Sequence, residues 1–395
     1  MEEFSDRYWS REPLYSPASQ RRGDFADLFS EAAADELVSR RGLRTPFARM
    51  VKQGSELNSV SYTRAGGVGA TIADQVADDK VLAQLADGAS LVLQGLHRTW
   101  PPLIEFGSDL AAQLGHPVQI NAYVTPSQNQ GFSAHYDTHD VFVLQISGRK
   151  RWLIHRPVLI DPLPEQTWQQ HREAVMARAA EAPLLEVTLE PGDALYLPRG
   201  YLHSATALGE LSIHLTVGVH PINRYSLIRQ LLASAAAEPE LRRSLPLGLD
   251  LADPSVLAPE LRHAARLLTN LVAEPDNVQV AAVAARIGSE LTRTTRPAPI
   301  APLQQLRSLA GLTAETPVRV RRGLRIDVRE GAEGVRLQLL DRGISLPQSM
   351  AAALKLALSG QVFTPAELPG LDGGEQLDLV ARLLREAVLV PAGSA

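Results

Sequence analysis

The chain has no cysteine among its 395 residues. This absence excludes disulfide bonds, thiolate nucleophiles, cysteine-ligated zinc and iron–sulfur clusters, so any metal site must be built from His, Asp and Glu. Net positive charge is also missing, since the formal charge is -5, and this disfavours a protein that coats nucleic acid. No uncharged apolar run reaches the roughly 18 residues that span a bilayer, and the charged amino-terminal segment does not resemble a secretory signal. We therefore expect a cytoplasmic protein with no membrane partner.

The order of predicted elements indicates several domains of different character. Short segments rich in β-branched and aromatic residues follow one another between residues 117 and 220, with a helical insertion at 164–183, which is typical of an antiparallel barrel or sandwich. Apolar residues at helical spacing dominate the next eighty or so residues. Strand pairs and two helices in the last ninety-odd residues predict a winged-helix-like domain. We predict an α+β protein with domains at 1–221, 222–304 and 305–395.

Seven of the ten histidines lie between residues 135 and 220, and three acidic or imidazole side chains there have the spacing of metal ligands. His135 and Asp137 are two residues apart, so on a strand both side chains lie on the same face. His203 follows a later strand and two turns, which would return it beside the first pair. Two histidines and one carboxylate form the facial triad of non-haem Fe(II) oxygenases, which leaves three coordination positions open. We predict that these three residues bind the metal and form the catalytic centre.

Lys150 is the second candidate site residue. Lysine is rare in this chain, with only four among 39 basic residues, and Lys150 lies in the segment ISGRKRW, which we predict to be a hairpin return. A cation at the inner end of a barrel can bind the distal carboxylate of a dicarboxylic cosubstrate such as 2-oxoglutarate. The alternative is that Lys150, Arg149 and Arg151 are simply solvated turn cations.

Two segments carry a resemblance to a known family: NAYVTPSQNQGFSAHYDTHDVFVLQISGRKRWLIHRP (121–157) and GDALYLPRGYLHSATALGELSIHLTVGVHP (192–221). Together they resemble the JmjC/cupin-type ribosomal oxygenases, which are Fe(II)- and 2-oxoglutarate-dependent hydroxylases of ribosomal-protein histidine or arginine. The opening FSDRYWSREPLY (4–15) is also similar to the start of that family. The resemblance implies a double-stranded β-helix (cupin/JmjC) barrel, then a helical dimerisation region and a winged-helix-like carboxy-terminal domain.

The resemblance also implies roles for individual residues. It makes His135, Asp137 and His203 iron ligands, and it makes Lys150 the residue that binds the distal carboxylate of 2-oxoglutarate. It adds a set of polar residues around the cosubstrate: Asn121, Tyr123 and His214. The implied cofactors are Fe(II), 2-oxoglutarate and O2, and the implied partners are a protein or peptide substrate and a second copy of the chain. Some bacterial members carry Arg in place of Lys150, so the choice between histidine and arginine targets stays open.

Three alternatives remain at this point. The same chemistry could act on a ribosomally made peptide natural product or a small metabolite. A different cupin enzyme would usually show His-x-His with a nearby Glu, whereas Asp137 stands where the second His would be. A non-catalytic barrel with a nucleic-acid-binding carboxy-terminal domain would use the arginines of VRVRRGLRIDVR (318–329), several of which strand alternation would place on one face. We prefer to interpret them as a solvated edge that protects against aggregation, and expect no nucleic-acid partner.

Overall fold

The computed structural model describes residues 2–20, 23–69, 71–332 and 334–393. The chain forms two compact units, Met1–Pro221 and Ile222–Ala395. Among the helices of the described residues, none combines the length and the apolarity that a bilayer crossing requires.

The first unit contains eleven strands and five helices among its described residues. The strands are β1 (Leu14–Ser16), β2 (Ala48–Lys52), β3 (Ser55–Glu56), β4 (Thr63–Arg64), β5 (Gln75–Val76), β6 (Ser90–Leu93), β7 (Val118–Thr125), β8 (Asp140–His155), β9 (Leu185–Leu189), β10 (Ala194–Leu197) and β11 (Leu202–Val219). The helices are α1 (Glu31–Arg40), α2 (Asp78–Ala86), α3 (Leu96–Thr99), α4 (Pro101–Leu114) and α5 (Arg172–Ala179). The helical insertion predicted at 164–183 is confirmed by α5 and by a 3-10 turn at Trp168–His171.

Nine of these strands form one antiparallel sheet in the order β1-β10-β8-β11-β7-β6-β2-β3, with β9 paired to β8 outside this path. The long strands β8 and β11 pair along nearly their whole length, with a register shift after Leu208 that bends the ladder. Their inward side chains build an apolar core with those of the flanking strands, and this core includes Ile120, Leu215 and Val217. The antiparallel β-structure predicted for residues 117–220 is confirmed.

One local prediction was wrong: the segment around Lys150 is not a hairpin return. Residues 140–155 form the single strand β8, because Gly148 has a φ of 62° and produces an irregularity in the ladder instead of a turn. A Cβ at this position would collide with the carbonyl oxygen of Leu211 on β11, so the close approach of the two strands requires glycine. Lys150 consequently lies inside a strand, where it pairs with Ala207 and Leu189 on its two neighbours.

The second unit begins with helices and ends in a mixed region. Its elements are α6 (Arg224–Leu232), α7 (Pro254–Val272), α8 (Asn277–Thr294), α9 (Pro302–Ala310), β12 (Val318–Val320), β13 (Asp327–Gly331), β14 (Gly334–Gln338), β15 (Gly343–Leu346), α10 (Ala351–Ala357), α11 (Gly373–Arg385) and β16 (Leu389–Pro391). Strands β13, β14 and β15 form an antiparallel sheet, and β12 pairs with β16. The two predicted carboxy-terminal helices are confirmed as α10 and α11.

Strand alternation was expected to place several arginines of segment 318–329 on one face, but the structure divides the segment between β12 and β13. Gly323 has a φ of 70°, and the chain turns there, so that β12 and β13 belong to different sheets. Arg321 Nε donates a hydrogen bond to the Ala298 carbonyl at 2.6 Å, so this side chain is hydrogen-bonded within the second unit. The arginines of this segment therefore do not share one strand face.

A candidate metal centre in a barrel cavity

Two backbone hydrogen bonds bring His135 and His203 side by side. The residues form an antiparallel bridge in which His203 N donates to His135 O at 2.8 Å and His135 N donates to His203 O at 3.2 Å. The Gly200 amide donates to the Asp137 carbonyl at 3.0 Å, which continues the contact between the two segments. Residues 68 positions apart in the chain are thus held together by the backbone, before any ligand binds.

The donor set of this group suits a divalent metal ion. His135 Nδ1 lies 2.8 Å from the Ser133 carbonyl and His203 Nδ1 lies 3.1 Å from the Tyr201 carbonyl, so each Nδ1–H can donate and leave Nε2 free as a ligand. His203 Nε2 is 3.7 Å from Asp137 Oδ2. One ligand atom from each of the three residues lies within 4.8 Å of the others, and within the described part of the chain no other such group of three occurs.

The electrostatics of the group favour the unprotonated ligands that a metal requires. Burial lowers the pKa of His203 to about 4, and the charge of His135 acts in the same direction. Burial alone would raise the pKa of Asp137, but the charges of His139, His203 and His135 bring it below its ordinary value. At neutral pH His203 is therefore a neutral imidazole and Asp137 an ionised carboxylate, the forms that bind a divalent cation.

Lys150 lies on the same cavity in a different environment. Its side chain is buried, its Nζ donates to Thr125 Oγ1 at 3.0 Å, and it lies 3.4 Å from His214 Nδ1. No carboxylate among the described residues forms an ion pair with it. Burial lowers the pKa of Lys150 to about 7. The lysine is thus a buried cation-forming group whose partners within the chain are all neutral.

Both features open onto one cavity of about 230 Å³. Its walls contain six of the predicted site residues: Tyr123, His135, Asp137, Lys150, His203 and His214. The Tyr123 and His214 rings stack with centroids 4.9 Å apart and an interplanar angle of 6°, because the two residues pair directly across β7 and β11. A cavity of this size is too small for a folded partner.

Asn121 is the one predicted site residue that the structure does not bring to the cavity wall. It lies on β7 two residues before Tyr123 and shares its face, but its Oδ1 accepts a hydrogen bond from the Gly95 amide at 3.0 Å. It is absent from the residues that line the cavity.

Several wall residues were not predicted. Thr125 and Trp152 follow Tyr123 and Lys150 by two positions, so strand alternation could have identified both. Trp168 comes from the helical insertion, which packs on the metal-bearing segments through Val175, Tyr136 and Leu202. Phe132 and Arg49 also line the cavity. No sequence signal indicates that Trp168, Phe132 and Arg49 belong to the site, because only the fold brings them to the cavity wall.

His139 lies near the candidate centre but is not one of its three members. Its ring stacks on His220 with centroids 4.8 Å apart.

Comparison with known proteins identifies a matching family. Residues 106–227 match the family model described as the JmjC domain. Ribosomal oxygenase 1 of Gallus gallus is 32% identical over 249 residues, which are 62% of this chain and 39% of that protein. The protein named bifunctional lysine-specific demethylase and histidyl-hydroxylase NO66 of Aedes aegypti is 29% identical over 258 residues, which are 63% of this chain and 38% of its own length. The chain thus matches about two fifths of the length of these curated relatives.

Solved structures extend the likeness in fold to nearly the whole chain. The Escherichia coli ribosomal oxygenase YcfD superposes with a TM-score of 0.54 at 18% identity, covering 99% of this chain and 98% of that one. A structure of the same protein in complex with cobalt and 2-oxoglutarate gives a TM-score of 0.53, again at 18% identity. The JmjC/cupin fold with mixed helices and strands is therefore confirmed.

Proposed function

From the match of residues 106–227 to the JmjC domain we propose that this chain belongs to the JmjC ribosomal oxygenases, and that it is an Fe(II)- and 2-oxoglutarate-dependent oxygenase that hydroxylates a side chain of a protein or peptide. One observation supports the proposal above all others. A two-histidine, one-carboxylate group and a buried lysine without an acidic partner line the same small cavity.

The residues present fit the cofactors that this chemistry needs. His135, Asp137 and His203 would hold Fe(II), because they supply two Nε2 atoms and one carboxylate and leave coordination positions open. Lys150, with the Thr125 hydroxyl, would bind the distal carboxylate of 2-oxoglutarate. With iron, 2-oxoglutarate and O2 bound, the site would supply oxidising power for a C–H bond while 2-oxoglutarate becomes succinate and carbon dioxide.

Tyr123 and His214 would complete the wall around the cosubstrate. His214 is buried and its pKa lies well below its ordinary value, through burial and then through the charge of Lys150, so it stays neutral beside the lysine. Asn121 would act indirectly, from outside the cavity wall, by accepting a hydrogen bond from the Gly95 amide.

The target would be a side chain of a protein, with a ribosomal protein as the first candidate. The chicken relative is named a ribosomal oxygenase, and the name of the mosquito relative pairs two target chemistries, a lysine and a histidine. The size of the cavity supports a target that inserts one side chain and leaves its backbone outside.

The test uses the full chain with Fe(II), ascorbate and 2-oxoglutarate. We expect slow succinate formation even without a target, and His135→Ala should reduce it by at least about a hundredfold, since even indirect disruption of a metal site costs up to about that factor. His263→Ala is the matched control, because that histidine is half exposed on α7 and lies outside the cavity. Absence of succinate with the wild-type chain, or equal rates for His135→Ala and wild type, would refute the proposal.

Mass spectrometry of the proteome with and without the enzyme would identify the target through a gain of one oxygen atom. A product on a ribosomal protein supports the protein-hydroxylase proposal. Products confined to small peptides or metabolites would favour the alternative substrates and leave the oxygenase chemistry in place.

We also propose that the helical region forms a homodimer. No residue of α7 or α8 is buried, although both helices carry apolar residues at helical spacing, and Leu261 and Val278 are 64% and 76% exposed. Such uncovered apolar faces are typical of association surfaces. Sedimentation of wild type should give a dimer and Leu261→Glu a monomer, whereas Leu82→Glu, an equally exposed site on α2 in the first unit, should leave the dimer intact. A wild-type monomer would refute this assignment.

The remaining expectations about organisation stay proposals. In the domain division at 1–221, 222–304 and 305–395, the first boundary is supported by the end of the compact first unit, whereas the boundary at 304 falls inside α9 (Pro302–Ala310). The winged-helix-like assignment is supported by the three-stranded sheet β13-β14-β15 together with α9, α10 and α11. A cytoplasmic location is proposed from the family, and fractionation of cells would test it.

A further inference from the structure

Arg49 is a charged cavity residue to which the proposed chemistry gives no role. It belongs to β2, two strands away from β7 in the sheet. Arg49 pairs with Val92 on β6, and Val92 pairs with Tyr123 on β7, so the three residues form one row across the sheet. Residues in such a row share a face, and both Arg49 and Tyr123 line the cavity.

The guanidinium of Arg49 is held in place by three neighbours, Phe132, Glu56 and Tyr123, and its side chain is hydrogen-bonded to that of Tyr123. Its central carbon lies 5.8 Å from the centre of the Phe132 ring, and its Nη1 lies 3.7 Å from Glu56 Oε2. The Glu56 side chain is 57% exposed, so water screens its charge, whereas the Arg49 side chain is 28% exposed. An exposed ion pair of this kind neutralises little. A positive charge therefore persists at the cavity wall.

The cavity offers no acid to an incoming cation. Among the described residues that line it, Asp137 is the only carboxylate, and it belongs to the proposed metal site. The other charged groups there are Lys150 and Arg49, both positive when protonated. The two carboxylates of a bound 2-oxoglutarate would face the metal and Lys150. A lysine or arginine side chain that entered would find like charges and no free counter-charge.

The aromatic walls do not change this conclusion. Phe132 and Trp168 flank His135, with ring centroids 5.7 Å and 6.4 Å from it, and aromatic faces can bind cations. The face of Phe132, however, already lies against the guanidinium of Arg49. Flat aromatic walls without a free counter-charge suit a neutral planar side chain.

We propose that Arg49 is a specificity-determining residue whose fixed positive charge excludes cationic target side chains, lysine, methyl-lysine and arginine, and admits an uncharged planar one such as neutral imidazole. This inference rests on the proposed function, because it requires a target side chain to enter this cavity. Two like unit charges about 6 Å apart, at an effective dielectric constant of about 20, repel each other strongly enough to lower an affinity by about a hundredfold. Partial solvent access at Arg49 reduces this to a discrimination of at least about tenfold.

The experiment compares four versions of the full chain: wild type, Arg49→Lys, Arg49→Gln and Arg49→Glu. Each is incubated with Fe(II), ascorbate, 2-oxoglutarate and a pool of ribosomal-protein peptides cut after glutamate, so that Lys, Arg and His remain inside the peptides. Mass spectrometry then gives the ratio of oxygen addition at Lys and Arg to that at His. Arg64→Gln is the matched control, since Arg64 pairs with Asp79 at the surface.

Wild type and Arg49→Lys should oxidise uncharged residues, and so should the Arg64→Gln control. Arg49→Gln should raise the ratio at least about tenfold and Arg49→Glu further, because the charge is first removed and then reversed. A wild-type product on lysine or arginine would overturn the inference, and so would a ratio that stays within about twofold in both Arg49→Gln and Arg49→Glu.

A second measurement does not depend on the folding of any variant. Raising the salt concentration from about 0.05 M to about 0.5 M shortens the screening length and should lower the discrimination of the wild-type chain. An unchanged ratio across this range would contradict an electrostatic filter. If succinate and oxidised peptides form but the ratio does not respond, only this inference fails. If neither forms, the proposed function fails and the inference fails with it.

Discussion

The two ends of the cavity place groups of opposite charge in a buried environment, a carboxylate at the metal end and a lysine at the other end. At the metal end, His135, Asp137 and His203 are fixed by backbone bridges and by carbonyl partners, and the ionised Asp137 carboxylate lies 3.7 Å from the neutral His203 imidazole. At the other end Lys150 is only 4% exposed and contacts the neutral Thr125 and His214. The first end carries one negative charge, which a bound metal cation would compensate. The second lacks a counter-charge, which a bound carboxylate would supply.

The largest effect is expected at the metal end, from Asp137→Asn. The substitution keeps the shape and removes the single negative charge among the three ligands. Affinity for Co(II), a spectroscopic stand-in for Fe(II), should fall by at least about a hundredfold in a titration. Asp87→Asn, which alters a surface carboxylate paired with Lys52, should bind Co(II) as wild type does. Equal affinities for Asp137→Asn and wild type would remove Asp137 from the ligand set.

The lysine end should respond to Lys150→Met with two effects of opposite sign. Affinity for 2-oxoglutarate in the presence of Co(II) should fall by at least about thirtyfold, as expected when one member of a buried charge pair is lost. The ligand-free chain should unfold at a higher temperature at pH 6, because a buried lysine without a counter-charge costs free energy. Co(II) binding alone should change little. A loss of thermal stability would mean that Lys150 is already paired within the chain.

The stability gain in Lys150→Met should also depend on pH. The pKa of Lys150 is lowered from 10.5 to about 7 by burial, so between these values the unfolded chain binds more protons than the folded one. The contribution of Lys150 to the free energy of unfolding of wild type therefore rises with pH across that window. The full free-energy cost of burying the charged lysine is present below about pH 7. The difference between Lys150→Met and wild type should shrink from pH 6 to pH 9. A constant difference would contradict the lowered pKa.

The affinity for 2-oxoglutarate should itself depend on pH through Lys150. Above about pH 7 the free chain holds a neutral amine, and binding a carboxylate requires this amine to take up a proton. The dissociation constant should be flat below about pH 7 and rise by up to about tenfold per unit above it. Calorimetry in buffers of different ionisation enthalpy would detect the proton uptake. Lys150→Met should show no such slope, and a wild-type profile without one would argue against the assignment of Lys150.

The smallest effect is expected from Thr125→Val, which removes only a hydroxyl that accepts from Lys150 Nζ and contacts Ser90 Oγ at 3.2 Å. Loss of one hydrogen bond to a charged group should weaken 2-oxoglutarate binding by about tenfold. Metal binding should be unaffected. If Thr125→Val lowered the affinity for 2-oxoglutarate more than Lys150→Met does, the hydroxyl and not the lysine would be the main contact at this end.

Local spacing sufficed to predict the three candidate ligands. On an extended segment, His135 and Asp137 share a face whatever the rest of the fold does, and the turn at Gly200 that precedes β11 delivers His203. The antiparallel strands of 117–220 were predictable for the same reason, since alternation and turn residues act over a few positions. These features depend on short-range geometry.

Features that depend on long-range pairing could not be predicted. Lys150 was expected in a hairpin return, but the collision that a Cβ at Gly148 would make with Leu211 involves a residue 63 positions later. Asn121 shares the face of Tyr123 but is drawn to the Gly95 amide. The arginines of 318–329 were separated because β12 pairs with β16 at the other end of the unit.

The amino-acid sequence by itself determined which chemical groups are available: a chain without thiols, with clustered histidines and one lysine in the barrel segment, offers no thiolate ligand. The tertiary structure decided which of these groups meet and which are deprived of water. Arg49 reaches the cavity through the register of β2, β6 and β7, and Lys150 is buried on a strand that pairs with β9 and β11. Ligand identity follows from side-chain chemistry, whereas charge state and access follow from burial, which only packing produces.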